Sequence, residues 1–302
     1  MTARATKEIV GGKPVLRFER RLSHPPEKVW RAVTEPAELA HWFPATVDLK
    51  PEAGSPITFG QDEIGPTTGE VLEADPPKVF AFRWDNDVFR IEIIPDGTGS
   101  RLLFSHTLSG GQQWGDERFA AQHAAGWDVC LDMLVARVEG REPPPDRWAE
   151  LNEFYVEEFG LAQGAIADGG KQLRFERVLV QPAADVWAAL GAGDAAVGDP
   201  APEPLTTRNV AAGNVTAVEA PHWIEYQSSS GTVGWELSEL PFGCRLVLTQ
   251  VLPVDSDEKP AEALAAWQVH LELLVARLNG LGDRPWPDDR VAKLSEMYAR
   301  GT

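Results

Sequence analysis

The 302-residue sequence is short of the residues that cross-link or ligate, with only two cysteines, Cys130 and Cys244, and six histidines. A disulfide framework is excluded, and without a C-x-x-C pair so is a thiolate zinc site. Each cysteine falls inside an apolar periodic run, where a reduced thiol acts as a small buried hydrophobe. Positive charge is also scarce: 28 Lys and Arg stand against 46 Asp and Glu, for a net charge of −18. Neither half carries a basic stripe, so nucleic acid and anionic membrane surfaces are repelled as partners. Such a charge is read as a solubility device. No run has the length and apolarity of a membrane span, and the N-terminal MTARATKEIVGG has no signal-peptide core, so a cytoplasmic location is expected. Walker A, G-x-S-x-G and H-E-x-x-H patterns are missing, which argues against ATP binding, serine hydrolysis and metalloprotease chemistry. Gly97 and Gly99 belong to a turn and not to a dinucleotide loop, and no cofactor or metal is expected. Tyr is rare (3) while Trp is abundant (11). Trp buries a large area behind a single N–H donor, so these rings belong in cores or cavity walls.

What the sequence does have is an internal repeat. LRFER stands at 16–20 and again at 173–177, an offset of 157. A proline and then Val-Trp follow in both copies, at Pro25, Val29 and Trp30 and at Pro182, Val186 and Trp187. The offset falls to 144 for Gly69/Gly213, Pro77/Pro221 and Arg101/Arg245, and to 140 for Trp127/Trp267 and the two LVAR runs. Blocks recurring in one order mean a duplicated domain. The expected division is domain 1 over 13–162 and domain 2 over 171–302, joined by the small, Gly-rich linker 163–170. The first drop in offset means that copy two has lost a stretch matching part of 39–54, which in copy one contains His41, Trp42 and Phe43.

Within copy one, period-2 alternation predicts strands at about 15–22, 45–50, 57–60, 68–74, 78–84, 88–94 and 100–108. Pro25-Pro26 opens a short helix over 27–34, and a second short helix is expected over 35–41. Apolar residues at three- and four-residue steps predict a helix over 116–139, with Gly140 as its C-cap. A last helix is expected over 146–159. The inward face comprises Phe80, Phe82 and Trp84, then Phe89, Ile91 and Ile93, then Leu102, Phe104, His106 and Leu108. A one-faced antiparallel sheet must be covered, and the 116–139 helix is its cover.

These blocks resemble a known family. PPEKVWRAVTEPAELAHWF (25–43), PPKVFAFRW (76–84), LLFSHTL (102–108) and HAAGWDVCLDML (123–134) are similar, in the same order, to the START-like or SRPBCC superfamily. Within it they are similar to AHSA-type domains, named for activators of a heat-shock-protein ATPase. Copy two resembles the family more weakly, because the HWF block is absent and Gln250 replaces His106. The resemblance implies an α+β helix-grip fold: a curved antiparallel sheet around a long C-terminal helix, with an apolar tunnel between. Members bind lipids, sterols, polyketides or hormones, and a minority catalyse.

Candidate ligand-binding residues are Trp42, Phe43, Phe59, Phe80, Phe82, Trp84, Phe89, Phe104, His106, His123 and Trp127. Trp42 and Phe43 are either a pocket lip or ordinary packing. His106 is either a polar anchor for an apolar ligand or a hydrogen-bonded core histidine. As an anchor, His106→Leu weakens ligand orientation without unfolding the domain. His123, one turn before Trp127, approaches His106 across the interior, and two such imidazoles would suit acid–base chemistry. In copy two the inward set is Tyr226, Trp235, Leu246, Leu248, Gln250, Trp267 and His270, with Trp223 pointing either in or out. The leading expectation is a carrier or sensor of a small apolar molecule in domain 1. Domain 2 is then a scaffold, or a partner in an intramolecular pseudo-dimer. The alternatives are a chaperone-accessory module that binds another protein, and a histidine-based enzyme.

Overall fold

A computed structural model describes residues 4–60, 65–110, 116–208, 210, 212–253 and 259–301. The chain forms two compact units, Met1–Phe159 and Gly160–Thr302.

The first unit opens with a hairpin that the apolar pattern does not announce. Strand β1 (Thr6–Val10) pairs antiparallel with β2 (Lys13–Leu22). Gly11 and Gly12 both take positive φ, 58° and 80°, as the two-residue turn of a twisted hairpin requires. β1 lies ahead of the expected start at residue 13. Its apolar residues do not alternate, and Ile9 and Val10 are exposed. Helices α1 (Pro26–Thr34) and α2 (Pro36–Leu39) follow. Six strands come next: β3 (Thr46–Leu49), β4 (Pro56–Gly60), β5 (Thr67–Asp75), β6 (Val79–Trp84), β7 (Asp87–Asp96) and β8 (Gly99–Thr107). The sheet order is β1-β2-β8-β7-β6-β5-β4-β3, so β8 returns to the first hairpin. Burial alternates along β7 up to Ile94 and along β8 from Ser100, with Phe89, Ile91, Ile93, Leu102, Phe104 and His106 all inward. Helix α3 (Ala120–Glu139) ends at Gly140, whose left-handed φ of 66° makes the C-cap. It packs on β2, α1 and the closing helix α4 (Trp148–Glu158).

The first strand of the second unit lies inside the expected linker. Ala165–Ala167 forms β9, which pairs with β10 (Gln172–Leu179), so this stretch is the margin of a sheet and not a free spacer. The unit continues with α5 (Ala183–Ala189), β11 (Asn214–Glu219), β12 (Trp223–Ser228), β13 (Gly231–Glu239) and β14 (Cys244–Val251). It ends with α6 (Pro260–Leu278) and α7 (Asp288–Gly301). The order β11-β12-β13-β14-β10-β9 matches the first sheet from β5 to β1. Both units are therefore α+β helix-grip domains, each an antiparallel sheet packed against a long helix.

Among the described residues the second sheet lacks counterparts of β3 and β4, for two different reasons. β3 falls in the deleted stretch. The chain then regains register: Gly54, Ser55 and Pro56 match Gly198, Asp199 and Pro200 at offset 144. Beyond that point Pro202 and Pro204 stand where β4 has Thr58 and Gly60. Proline has no N–H to give a ladder, so pairing stops and the backbone turns away. The repeated Gly69 and Gly213 also gain a reason. A Cβ would stand 2.0 Å from the Arg83 carbonyl oxygen at Gly69 and 1.5 Å from that of Gln227 at Gly213. Both strands pass too close to their neighbour for any side chain.

Candidate functional site

The interior of the first unit is a continuous stack of rings. Phe59 lies on Trp84 at 4.3 Å between centroids, Phe82 on Phe89 at 5.0 Å, and Phe89 on His106 at 4.2 Å. Trp127, from α3, meets Phe104 at 4.7 Å. Phe80 stands against Phe82 at 5.5 Å. These rings are in contact with one another where an open, aromatic-lined cavity is expected. Among the described residues, one void of about 10 Å³ is lined by Trp42, Phe43, Phe59, Phe80, Phe82 and their aliphatic neighbours. That is room for about one water.

Trp42 and Phe43 do not form a lip. Both are buried, and the Trp42 indole N–H donates to the Ala32 carbonyl at 2.9 Å. The turn after α2 directs the pair inward, where Phe43 meets Phe59, Phe82, Trp84 and Trp127 at 5.6–6.1 Å. Trp84 is half-buried, and its N–H donates to Thr67 Oγ1 at 2.7 Å.

His106 is 1% exposed and uses both ring nitrogens. The Trp127 N–H donates to Nδ1 at 3.2 Å, and Nε2 lies 2.8 Å from Asp87 Oδ2. Indole only donates, so Nδ1 accepts and Nε2 carries the proton toward Asp87. Burial pushes the imidazole pKa down, and Asp87 only partly restores it, so the ring is neutral. At Asp87 burial acts upward, but the bonds from His106 and from the Ser109 N–H outweigh it, and its pKa is lowered. His123 stands edge-on to His106 at 4.8 Å. The two imidazoles do meet, yet His106 has neither a lone pair nor an N–H left for a substrate. Asp87 was not among the sequence candidates. Counting back by two from inward-facing Phe89 would have placed it on the same face.

The duplicate explains what this histidine does. At the matching place Gln250 Oε1 accepts from the Trp267 N–H at 2.6 Å, and Nε2 donates to the Ser230 carbonyl at 2.9 Å. An amide performs the same bridge, one acceptor toward the helix tryptophan and one donor toward the start of the neighbouring strand. His106 is thus a core bridge. His106→Leu would strand the Trp127 N–H and leave Asp87 with the Ser109 N–H but without its histidine donor, contrary to the expectation that it would leave the fold intact.

A second buried network went unforeseen. Arg20, 2% exposed, donates to Asp128, 1% exposed, and through Nε to Asp132 at 3.0 Å. Tyr155 OH also donates to Asp128, Arg4 reaches it at 3.0 Å, and the Ala5 N–H donates to Tyr155 OH at 2.9 Å. This knot joins β2, α3, α4 and the N-terminal segment. In the second unit Tyr298 OH donates to Gln268 at 2.7 Å and receives the Gly164 N–H at 2.8 Å. The signal was present: Leu16, Phe18 and Arg20 share one strand face, and an arginine on an apolar face calls for a buried acid.

The remaining groups are quiet. Burial pushes both cysteine thiols up to about 12; Cys244 is fully buried and Cys130 only partly. Among the described residues no cluster of His, Cys, Asp and Glu suits a metal ion, and no helix is long and apolar enough to cross a membrane. His270, whose Nε2–H donates to the Pro204 carbonyl at 2.8 Å, is pushed down by burial to about 4. Its folded pKa lies below the unfolded value near 6.5, so the unfolded chain takes up the proton first as pH falls. Stability unaffected above pH ~6.5 is then lost progressively down to pH ~4, by about 3 kcal/mol from this group. Urea midpoints of the second unit at pH 7 and 4.5 test this. A His270→Gln chain should show a shallower loss over that interval.

Residues 23–139 match the family model for "Activator of Hsp90 ATPase homolog 1-like protein". The first unit is an AHSA-type START-like domain. No curated protein matches the chain. Among solved structures, a conserved protein of unknown function from Enterococcus faecalis aligns at 19% identity and a TM-score of 0.46, over 52% of this chain and 90% of its own. A protein from Mesorhizobium loti aligns at 26% identity and a TM-score of 0.38, over 42% and 98%. CalU16 from Micromonospora echinospora aligns at 18% identity and a TM-score of 0.42, over 53% and 96%.

Proposed function

We propose that the first domain binds a small, apolar, ring-containing molecule between its sheet and α3, in the place that the Phe43 ring now fills. The observation that carries this is the setting of Phe43. Rings of Trp42, Phe59, Phe82, Trp84 and Trp127 surround it at 5.5–6.1 Å. It arrives on the short irregular stretch between α2 and β3, and a void of about 10 Å³ that Phe43 lines adjoins it. Swinging that ring out leaves a ring-sized apolar site with no polar group to desolvate. The closed form pays for opening by exposing a phenyl group, which weakens the apparent affinity by the population of the open form.

Toluene, followed by NMR of the tryptophan side chains, tests the reading. Phe43→Ala is expected to bind it ten- to a hundredfold more tightly than the natural chain, through the same tryptophans. Equal affinity, or shifts confined to the second domain, would count against it. Native mass spectrometry with organic extraction should find one small molecule per chain in the natural protein.

The filled interior favours a second reading, an accessory of a chaperone ATPase that docks through its surface. A chain that is empty when purified and indifferent to toluene in both forms supports it.

A further inference from the structure

Among the interior positions at which the second domain differs from the first, three gain a hydrogen-bond donor. Tyr226, Trp235 and His270 stand where the first domain has Phe82, Ile91 and Cys130, at offsets of 144, 144 and 140. Two apolar rings or chains and a weakly polar thiol have become three hydrogen-bond donors. All three converge on two neighbouring backbone oxygens of one segment. Tyr226 OH and Trp235 Nε1 both donate to the Leu205 carbonyl, at 3.0 and 3.1 Å, and His270 Nε2 donates to the Pro204 carbonyl at 2.8 Å. Leu205 is fully buried, and Trp235, Trp267 and His270 pack edge-to-face at 5.6–6.0 Å.

This segment has the form of a strap. It is a single 3-10 turn, Glu203–Leu205, flanked by isolated bridges at Pro200–Asn214 and Thr207–Val210. Its prolines take it out of the sheet. It supplies a branched apolar group next to a carbonyl oxygen that receives two donors, one for each lone pair.

We propose that the second domain contains a masked binding site for a small apolar molecule carrying one neutral carbonyl, and that the Pro202–Thr207 segment occupies it as a built-in stand-in. Leu205 takes the place of the ligand's apolar body, and its carbonyl takes the place of the ligand's oxygen. A ketone, ester or amide fits this donor pair. A carboxylate fits poorly, because the three donors are uncharged and the walls are aromatic. The duplicate is then a specialised domain with polar recognition, where the first domain offers only apolar walls. This inference is independent of the reading of Phe43, since its residues lie in the other domain.

The test uses the full chain with acetophenone and, as the hydrocarbon of similar shape, isopropylbenzene. In Leu205→Ala, acetophenone is expected to bind at least tenfold more tightly than isopropylbenzene, and adding Tyr226→Phe should cut that preference about fivefold, the worth of one neutral hydrogen bond. Equal affinities in a cooperatively folded Leu205→Ala chain would overturn the proposal. Should that variant not fold, the natural chain decides by amide hydrogen exchange. Acetophenone at saturation should speed exchange of Leu205 and Thr206 while isopropylbenzene does not. Unchanged exchange with both overturns the masked site.

Discussion

Replacing Asp128 by alanine is expected to destabilise the first domain by about 3–5 kcal/mol, because it leaves a buried guanidinium short of its counter-charge. Arg20 is 2% exposed and Asp128 1%, so water cannot take over the lost bonds. Asp132, the other acid on Arg20, is 38% exposed in its side chain and neutralises the charge only in part. The loss should appear as a lower urea midpoint for the first domain, with the second domain's transition unmoved. Pairing the two changes separates the cost of a stranded charge from the worth of the ion pair. Arg20→Met with Asp128→Leu should recover much of the loss, because neither leaves a buried charge behind. If the double variant is as unstable as Asp128→Ala, the network contributes more than mutual neutralisation. Gln268 gives a control within the chain: it holds the matching tyrosine without a charge, so Gln268→Ala should cost only about 1–2 kcal/mol.

The second large effect concerns His106. His106→Leu is expected to cost about 3 kcal/mol, since the Trp127 N–H loses its acceptor and the Asp87 carboxylate loses the donor on Oδ2. His106→Gln should stay within about 1 kcal/mol of the natural chain, as Gln250 already makes the equivalent bridge. The two variants also differ from the natural chain in acid. His106 is held neutral by burial, so its folded pKa lies below the unfolded value. Stability is therefore lost as pH falls below about 6.5, where only the unfolded chain protonates. His106→Gln has no such group and should show a flatter stability profile between pH 7 and 5. An equally steep profile in the glutamine variant would place the acid sensitivity elsewhere.

The fold was largely legible because duplication and alternation are both properties of spacing. Repeated offsets gave the tandem, and the period of two named Phe89, Ile91, Leu102 and Phe104 as inward before any contact was known. The candidate site was less legible. Facing inward establishes that Phe43, Phe59 and Trp84 share an interior, but whether they enclose a space depends on ring volumes and rotamers that spacing does not carry. Their rings in fact stack on one another at 4.3–6.0 Å. The polar partners escaped notice for another reason. Asp87 sits in a turn-like Asp-Asn-Asp run and Asp128 among apolar helix residues, and each is buried only because His106 or Arg20, far away in sequence, is buried opposite. The β1 hairpin was hidden because an exposed edge strand needs no apolar alternation, although Gly11-Gly12 was the turn signal.

The two absent strands of the second sheet have a consequence for how the chain behaves in company. Deleting the outermost strands ordinarily turns an interior strand into an unprotected margin, whose free N–H and C=O groups invite a strand from another molecule. Here β11 would be that margin. The remnant of the broken strand still lies along it: Gly198 N–H bonds to the Val215 oxygen, the Val215 N–H to Asp199, and the Ala201 N–H to Gly213, at 2.7–2.9 Å. A bulge between Val215 and Ala217 bends the margin just beyond. This cover runs straight into the prolines that end the ladder, so it cannot propagate, and the shortened sheet closes its own side against edge-to-edge aggregation.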